Sequence, residues 1–263
     1  MNLNYKEFGT GFPVIILHGL LGSLDNWQTI ARKMTEMASA ASHPFKIYII
    51  DQRNHGKSPH TDDFNYELLS ADVLDFFRQQ HITKAHVIGH SMGGKAAMKF
   101  TLENPVLVEK LIVVDISPSQ AEDHHSYIFE ALDAADVGNA TSREQVQAFL
   151  NERIPNDPTT IQFLMKGLQR DGTEQHFEWK FNLPALWEHY VDIMDGITGL
   201  IPFNGPTLFI KGGNSDYINA GNYPDMVELF PNHQLVEIPD AGHWVQAEKP
   251  NEFIEVAEKF LLA

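Results

Sequence analysis

The 263-residue sequence contains no cysteine, is poor in basic residues and has no long apolar run. A chain without cysteine forms no disulfide, no thiolate metal site and no cysteine nucleophile. With 19 Lys and Arg against 35 Asp and Glu, the formal charge is −16, which disfavours nucleic acids and anionic membrane surfaces as partners. No apolar stretch approaches the roughly 20 residues of a bilayer-spanning helix, so we expect no membrane insertion.

The remaining composition is that of an ordinary globular protein, with 43% hydrophobic and 21% charged residues. The opening "MNLNYKEFGTGF" lacks the basic-then-apolar pattern of a signal peptide. We therefore expect a cytoplasmic protein. The sequence does not indicate an oligomeric state.

Short apolar, β-rich runs alternate with helical patterns along most of the chain. Two early runs, "LNYKEF" and "PVIILHG", flank "GTGF" and predict a hairpin. Later strands are predicted at 45–51, 85–90, 110–116, 206–212 and 233–240, and helices at 26–38, 66–80, 92–103 and 250–262. This alternation predicts an α/β fold, with a mainly parallel sheet covered by helices on both faces.

Residues 117–204 interrupt the alternation. They are rich in polar residues and helix formers and show no strong strand pattern. We therefore predict a core formed by 1–116 and 205–263, with 117–204 as a mostly helical insertion over one end of the sheet.

The run Gly89-His90-Ser91-Met92-Gly93 is a G-x-S-x-G sequence between a predicted strand and a predicted helix. That context is the one in which this turn presents a nucleophilic serine. The turn holds the serine in a strained backbone conformation at the carboxyl end of the strand, and the helix N-terminus favours a developing negative charge. Ser91 is the candidate nucleophile.

A serine nucleophile needs an oxyanion hole, and the amide that follows the serine, here that of Met92, supplies one donor. The loop after "VIILHG" can supply the second donor through the Leu20 amide. His18 in the same loop has two open interpretations, a substrate contact or a loop-stabilising residue.

The general base and its acid are expected in the order serine, acid, histidine. His243 follows the predicted last strand and lies in a loop between Pro239 and Pro250, which makes it the candidate base. Two carboxylates fit as the acid: Asp216 after the penultimate strand, and Asp115 at the end of the strand that follows the nucleophile's helix. The order of residues leaves both open.

Several longer strings resemble the α/β-hydrolase superfamily, and within it the YbfF-like bacterial esterases. The strings are "HGLLGSLDNW", "DQRNHGKS", "GHSMGGKAAM", "VVDISP", "LFIKGGNSDY" and "DAGHWVQAEKP". The resemblance implies a cofactor-free serine esterase or thioesterase with a helical cap, acting on acyl esters, with acyl-CoA as a further candidate substrate. The resemblance favours Asp115 over Asp216, because members of that branch can lack an acid at the position that matches Asp216.

Two further expectations concern the insertion. Trp179, Phe181, Leu183 and Trp187 are candidates for lining an acyl pocket, although aromatic residues at such spacing are as often core. The "AEDHH" stretch at 121–125 has no partner pattern of known metal-ligand spacing, and we interpret it as a solvated part of the insertion.

Other chemistries on the same fold stay open. Carbon–carbon bond hydrolases and cofactor-free haloperoxidases also use a serine, a histidine and an acid, whereas haloalkane dehalogenases use an aspartate where this chain has Ser91. A non-catalytic binding protein of this fold is less favoured, because such proteins typically lose the nucleophile or the base.

Overall fold

A computed structural model of the chain describes residues 1–155, 157–173, 176–199 and 201–263. The strands are β1 (Tyr5–Gly9), β2 (Phe12–Leu17), β3 (Phe45–Ile50), β4 (Ala85–His90), β5 (Val108–Val114), β6 (Leu168–Arg170), β7 (Phe177–Trp179), β8 (Thr207–Gly212) and β9 (His233–Ile238). The helices are α1 (Gln28–Ala40), α2 (Tyr66–Gln79), α3 (Met92–Glu103), α4 (Ser126–Asp133), α5 (Arg143–Arg153), α6 (Pro158–Lys166), α7 (Leu183–Glu188), α8 (Tyr190–Met194), α9 (Tyr223–Leu229), α10 (Val245–Glu248) and α11 (Pro250–Leu262). Within the described ranges, no helix combines the length and the apolar character that crossing a membrane requires.

Seven strands form one sheet in the order β1-β3-β2-β4-β5-β8-β9. Only β1 runs antiparallel to its neighbour; the other pairs are parallel. The central strands are apolar almost throughout because both faces of the sheet are covered. Helices α1 and α11 contribute to the core on one face, and α2, α3 and α9 to the core on the other. This arrangement confirms the predicted α/β fold.

The predicted hairpin at the start of the sheet is wrong. β1 pairs with β3, and β2 lies between β3 and β4. The physical reason is burial: four consecutive residues of β2, Val14–Leu17, are fully buried and require a neighbour strand on both sides. The half-exposed β1 is suited to the edge of the sheet.

The segment between β5 and β8 carries helices α4 to α8 and a two-stranded sheet formed by β6 and β7. Its described residues contribute no strand to the seven-stranded sheet. The small sheet was not predicted, because strands of three residues are too short to show a periodic pattern.

His86 in β4 is a buried histidine with a consequence for acid stability. It is 5% exposed and packs against the rings of Phe12 and Phe45, with centroid separations of 4.7 and 5.9 Å. Burial lowers its pKa from 6.5 to about 4. The unfolded chain therefore binds a proton that the folded chain does not, and stability is lost as the pH falls from about 6.5 towards 4.

We expect this single group to cost about 3 kcal/mol of unfolding free energy at pH 4, relative to pH 8, where both states are neutral. The variant His86→Leu removes the titrating group and should lose less stability over the same range. Urea unfolding of both proteins at several pH values measures the difference. Parallel losses in the two proteins would contradict this account of His86.

Candidate active site

Ser91 lies between β4 and α3 with φ 53° and ψ −123°, a positive-φ conformation that is costly for a residue with a side chain. The neighbouring glycines are needed because the backbone is crowded. A Cβ at Gly89 would lie 2.1 Å from the carbonyl oxygen of Gly93, and one at Gly93 would lie 2.4 Å from that of His18. Only glycine therefore fits at these two positions without a shift of the backbone.

His243 connects Ser91 to a carboxylate. Its Nε2 lies 3.0 Å from the Ser91 hydroxyl oxygen, and its Nδ1 lies 2.7 Å from Oδ2 of Asp115. Asp115 directly follows β5, is completely buried and also has a positive φ, 51°. Three loops at the carboxyl ends of parallel strands thus bring the serine, the histidine and the carboxylate together.

Of the two candidate acids, the structure brings Asp115 and not Asp216 to the histidine. Asp115 accepts hydrogen bonds from the Ser215 hydroxyl at 2.5 Å and from the Gly212 amide at 2.9 Å. The side chain of Asp216 is exposed and lines a separate cavity. Ser215, the residue before Asp216, contacts the Asp115 carboxylate through its side chain.

Tyr217 packs against one face of the His243 ring. The two rings stack with centroids 3.9 Å apart and planes 19° apart. The Tyr217 hydroxyl lies 3.4 Å from Nε2 of His125, which belongs to the insertion. Burial, and then the nearby His243, lower the pKa of His125 to about 3. His125 is therefore a neutral residue at the site, and our interpretation of 121–125 as a solvated stretch is wrong for it.

Leu20 and Met92, whose backbone amides are the predicted oxyanion-hole donors, both line the same cavity as Ser91. The loop of Leu20 is held in place by its neighbour: Leu21 has φ 60° and donates its amide to Nε2 of His55 at 3.1 Å. In the described part of the chain, no acceptor is bonded to the Leu20 amide.

His18 organises the backbone beside this loop. Its Nε2 accepts a hydrogen bond from the Gln52 amide at 3.1 Å, and its Nδ1 donates to the Gly19 carbonyl at 2.8 Å. Burial lowers its pKa and favours this neutral form. Of the two interpretations left open above, the structure supports the loop-stabilising one.

The cavity at Ser91 is narrow, about 30 Å³, which is room for about two water molecules. Its walls come from the loop of Leu20, helices α2 and α3, the residue Ile116 after β5, the loop of Tyr217 and the insertion. The lining residues are Leu20, Tyr66, Ser91, Met92, Lys95, Ile116, Ala121, Glu122, His125, Tyr190, Ile193, Met194 and Tyr217.

The four residues predicted to line an acyl pocket do not border this cavity. Trp179, Phe181 and Leu183 line a different groove, beside residues 56–58. Trp187 stacks on Phe129, with ring centroids 4.8 Å apart. These side chains pack the insertion together, and sequence spacing gave no information on which of its faces meets Ser91.

A serine, a histidine and a buried carboxylate, joined in that order by hydrogen bonds at the carboxyl edge of a parallel sheet, define the class as serine hydrolases of α/β architecture. A family model described as the alpha/beta hydrolase fold matches residues 13–250. The chain belongs to this family.

Named relatives match almost the whole chain. It is 38% identical to an sn-1-specific diacylglycerol lipase of Danio rerio, covering 99% of this chain and 83% of that protein. It is 37% identical to the esterase YbfF of Escherichia coli, covering 95% and 92%. The solved structure of an esterase from a marine microorganism superimposes with a TM-score of 0.91 at 40% identity, covering 98% of each chain. These relatives confirm the predicted resemblance, and the protein is a serine ester hydrolase.

Proposed function

We propose that the protein hydrolyses short-chain acyl esters, with Ser91 as nucleophile, His243 as general base and Asp115 as the acid that orients the histidine. The Leu20 and Met92 amides form the oxyanion hole. The observation that carries this proposal is the pair of hydrogen bonds at His243, 3.0 Å to Ser91 and 2.7 Å to Asp115.

In the first half of the reaction, the Ser91 hydroxyl oxygen bonds to the ester carbonyl carbon while Nε2 of His243 takes the hydroxyl proton. Asp115 accepts a hydrogen bond from the Nδ1–H group of His243. This bond fixes the tautomer of the histidine and stabilises the imidazolium that forms. The carbonyl oxygen becomes an oxyanion and is bonded by the two amides. The bond to the alcohol then breaks, and His243 gives its proton to the leaving oxygen.

In the second half, water attacks the acyl group on Ser91 while His243 removes a proton from the water. The same oxyanion hole stabilises the second tetrahedral intermediate. Its collapse releases the carboxylic acid, and the proton returns to Ser91. These steps need no cofactor.

We assign residues 117–204 to a cap that selects the acyl group. His125, Tyr190, Ile193 and Met194 of this segment line the Ser91 cavity. This cavity is small, so a long acyl chain would have to displace side chains of the cap. This small volume supports short acyl chains as the preferred substrates.

A panel of p-nitrophenyl esters from acetate to octanoate tests the proposal. We expect kcat/KM to be highest at about two to four carbons and on the order of tenfold lower for octanoate, because side chains of the cap would have to move. The variant Ile193→Ala removes part of one cavity wall and should shift the preference towards longer chains. A wild-type preference for octanoate would contradict the proposed preference for short acyl chains.

Thioesters, acyl-CoA included, react through the same steps, and we propose them as further substrates. The same panel extended to acetyl-CoA and octanoyl-CoA tests this. The cytoplasmic location and the absence of nucleic-acid partners stay predictions.

A further inference from the structure

Lys95 is a buried lysine one helical turn after Ser91. It is 1% exposed and lines the Ser91 cavity. It lies in the first turn of helix α3, where its amide donates to the Ser91 carbonyl at 3.0 Å. The mechanism proposed above gives Lys95 no part in any proton transfer. A buried ammonium group without hydrogen-bond partners is strongly destabilising, so its contacts require an explanation.

The partners of Lys95 are carbonyl groups of the insertion. Its Nζ donates to the Met194 carbonyl at 2.9 Å and to the Asp195 carbonyl at 2.5 Å. Beside it, the Tyr66 hydroxyl donates to the Ile193 carbonyl at 2.7 Å. Three consecutive carbonyls at the end of α8 are therefore held by side chains of α2 and α3.

The segment held in this way forms part of the cavity wall. Ile193 and Met194 both line the Ser91 cavity, together with Lys95 and Tyr66 themselves. The Lys95 ammonium also lies 5.9 Å from the centre of the Tyr66 ring, within cation–π range. The two side chains that hold the turn therefore also contact each other. A substitution of Lys95 or Tyr66 would therefore move this part of the cavity wall relative to Ser91.

We infer that Lys95, with Tyr66, is a positioning residue that limits acyl-chain length by fixing the 193–195 turn as a wall of the Ser91 cavity. This inference rests on the proposed function, because it assumes that the acyl group occupies that cavity. It attributes the selection of acyl-chain length to a contact between helix α3, which follows the nucleophile, and the insertion.

The first arm of the test needs no substrate. Lys95→Met keeps a side chain of similar length and removes the donor, so we expect amide hydrogen exchange in 193–197 to become faster by on the order of tenfold. Lys99→Met is the matched control: Lys99 lies one turn further along α3 and pairs with Glu67 and Glu103 instead of the insertion. It should leave exchange in 193–197 unchanged.

The second arm measures the ratio of kcat/KM for octanoate to that for acetate. We expect this ratio to rise on the order of tenfold in Lys95→Met, to rise less in Tyr66→Phe, which loses one hydrogen bond, and to stay at the wild-type value in Lys99→Met. Thermal unfolding checks that each variant is folded. If Lys95→Met does not fold, Tyr66→Phe carries both arms.

Unchanged exchange in 193–197 would overturn the anchoring role. Faster exchange with an unchanged ratio would overturn the role in acyl selection. If the wild-type protein hydrolysed none of the esters, the proposed function would fail, and with it the selection of acyl chains, while the exchange arm would separately decide whether Lys95 holds the turn.

Discussion

Ser91→Ala is expected to lower kcat for a short ester by on the order of 10⁵-fold or more, because it removes the atom that forms the acyl-enzyme. The residual rate would come from the oxyanion hole and substrate binding. The substitution removes one oxygen from a side chain that is 7% exposed, so the fold should be preserved. Steady-state kinetics on p-nitrophenyl butyrate measures the loss.

A second buried serine provides the matched control. Ser117 is 3% exposed and does not line the Ser91 cavity. Ser117→Ala should stay within a few-fold of the wild-type rate. Thermal unfolding of both variants separates lost chemistry from lost folding. A folded Ser91→Ala protein that retained a substantial fraction of the activity would show that this serine is not the nucleophile.

The second large effect is expected at Asp115. Asp115→Asn keeps the size of the side chain but removes the acceptor charge that fixes the tautomer of His243, a change that costs on the order of 10⁴ in kcat in a related triad. Asp216→Asn should change kcat by a few-fold at most, because the Asp216 side chain is exposed. The double variant should resemble Asp115→Asn.

These three variants distinguish the two carboxylates on one ester. A large loss only in Asp216→Asn would show that the loop after β8 rearranges to bring Asp216 to His243. Modest losses in both single variants with a severe loss in the double variant would show that either carboxylate can serve. Each result is checked against the unfolding temperature, since Asp115 is fully buried and also holds Ser215 and Gly212.

The parts of the site that could be predicted from the sequence are those with a fixed local context. Ser91 lies in a strand–turn–helix motif, and His243 follows the last strand, so motif and chain order are sufficient to select them. Chain order does not separate Asp115 from Asp216, because both follow strands that end at the same edge of the sheet. The resemblance to the YbfF-like esterases favours Asp115, and the side-chain geometry brings Asp115 rather than Asp216 to His243.

The parts that could not be predicted depend on contacts between distant segments. Tyr217 stacks on His243 and hydrogen-bonds to His125 of the insertion, which no local pattern indicates. Lys95 lies two residues after the serine motif, but its partners are about a hundred residues away. The error at β1 has the same origin, because its partner strand β3 follows only after β2 and α1.

Covalent labelling of the nucleophile tests most directly the central claim that Ser91 forms the acyl-enzyme. A fluorophosphonate forms a stable covalent bond with an activated serine, and intact-mass analysis followed by peptide mapping locates it. We predict one label per chain, on the peptide that contains Ser91, and no label in Ser91→Ala. An unlabelled wild-type protein, or equal labelling of Ser91→Ala, would contradict catalysis through Ser91.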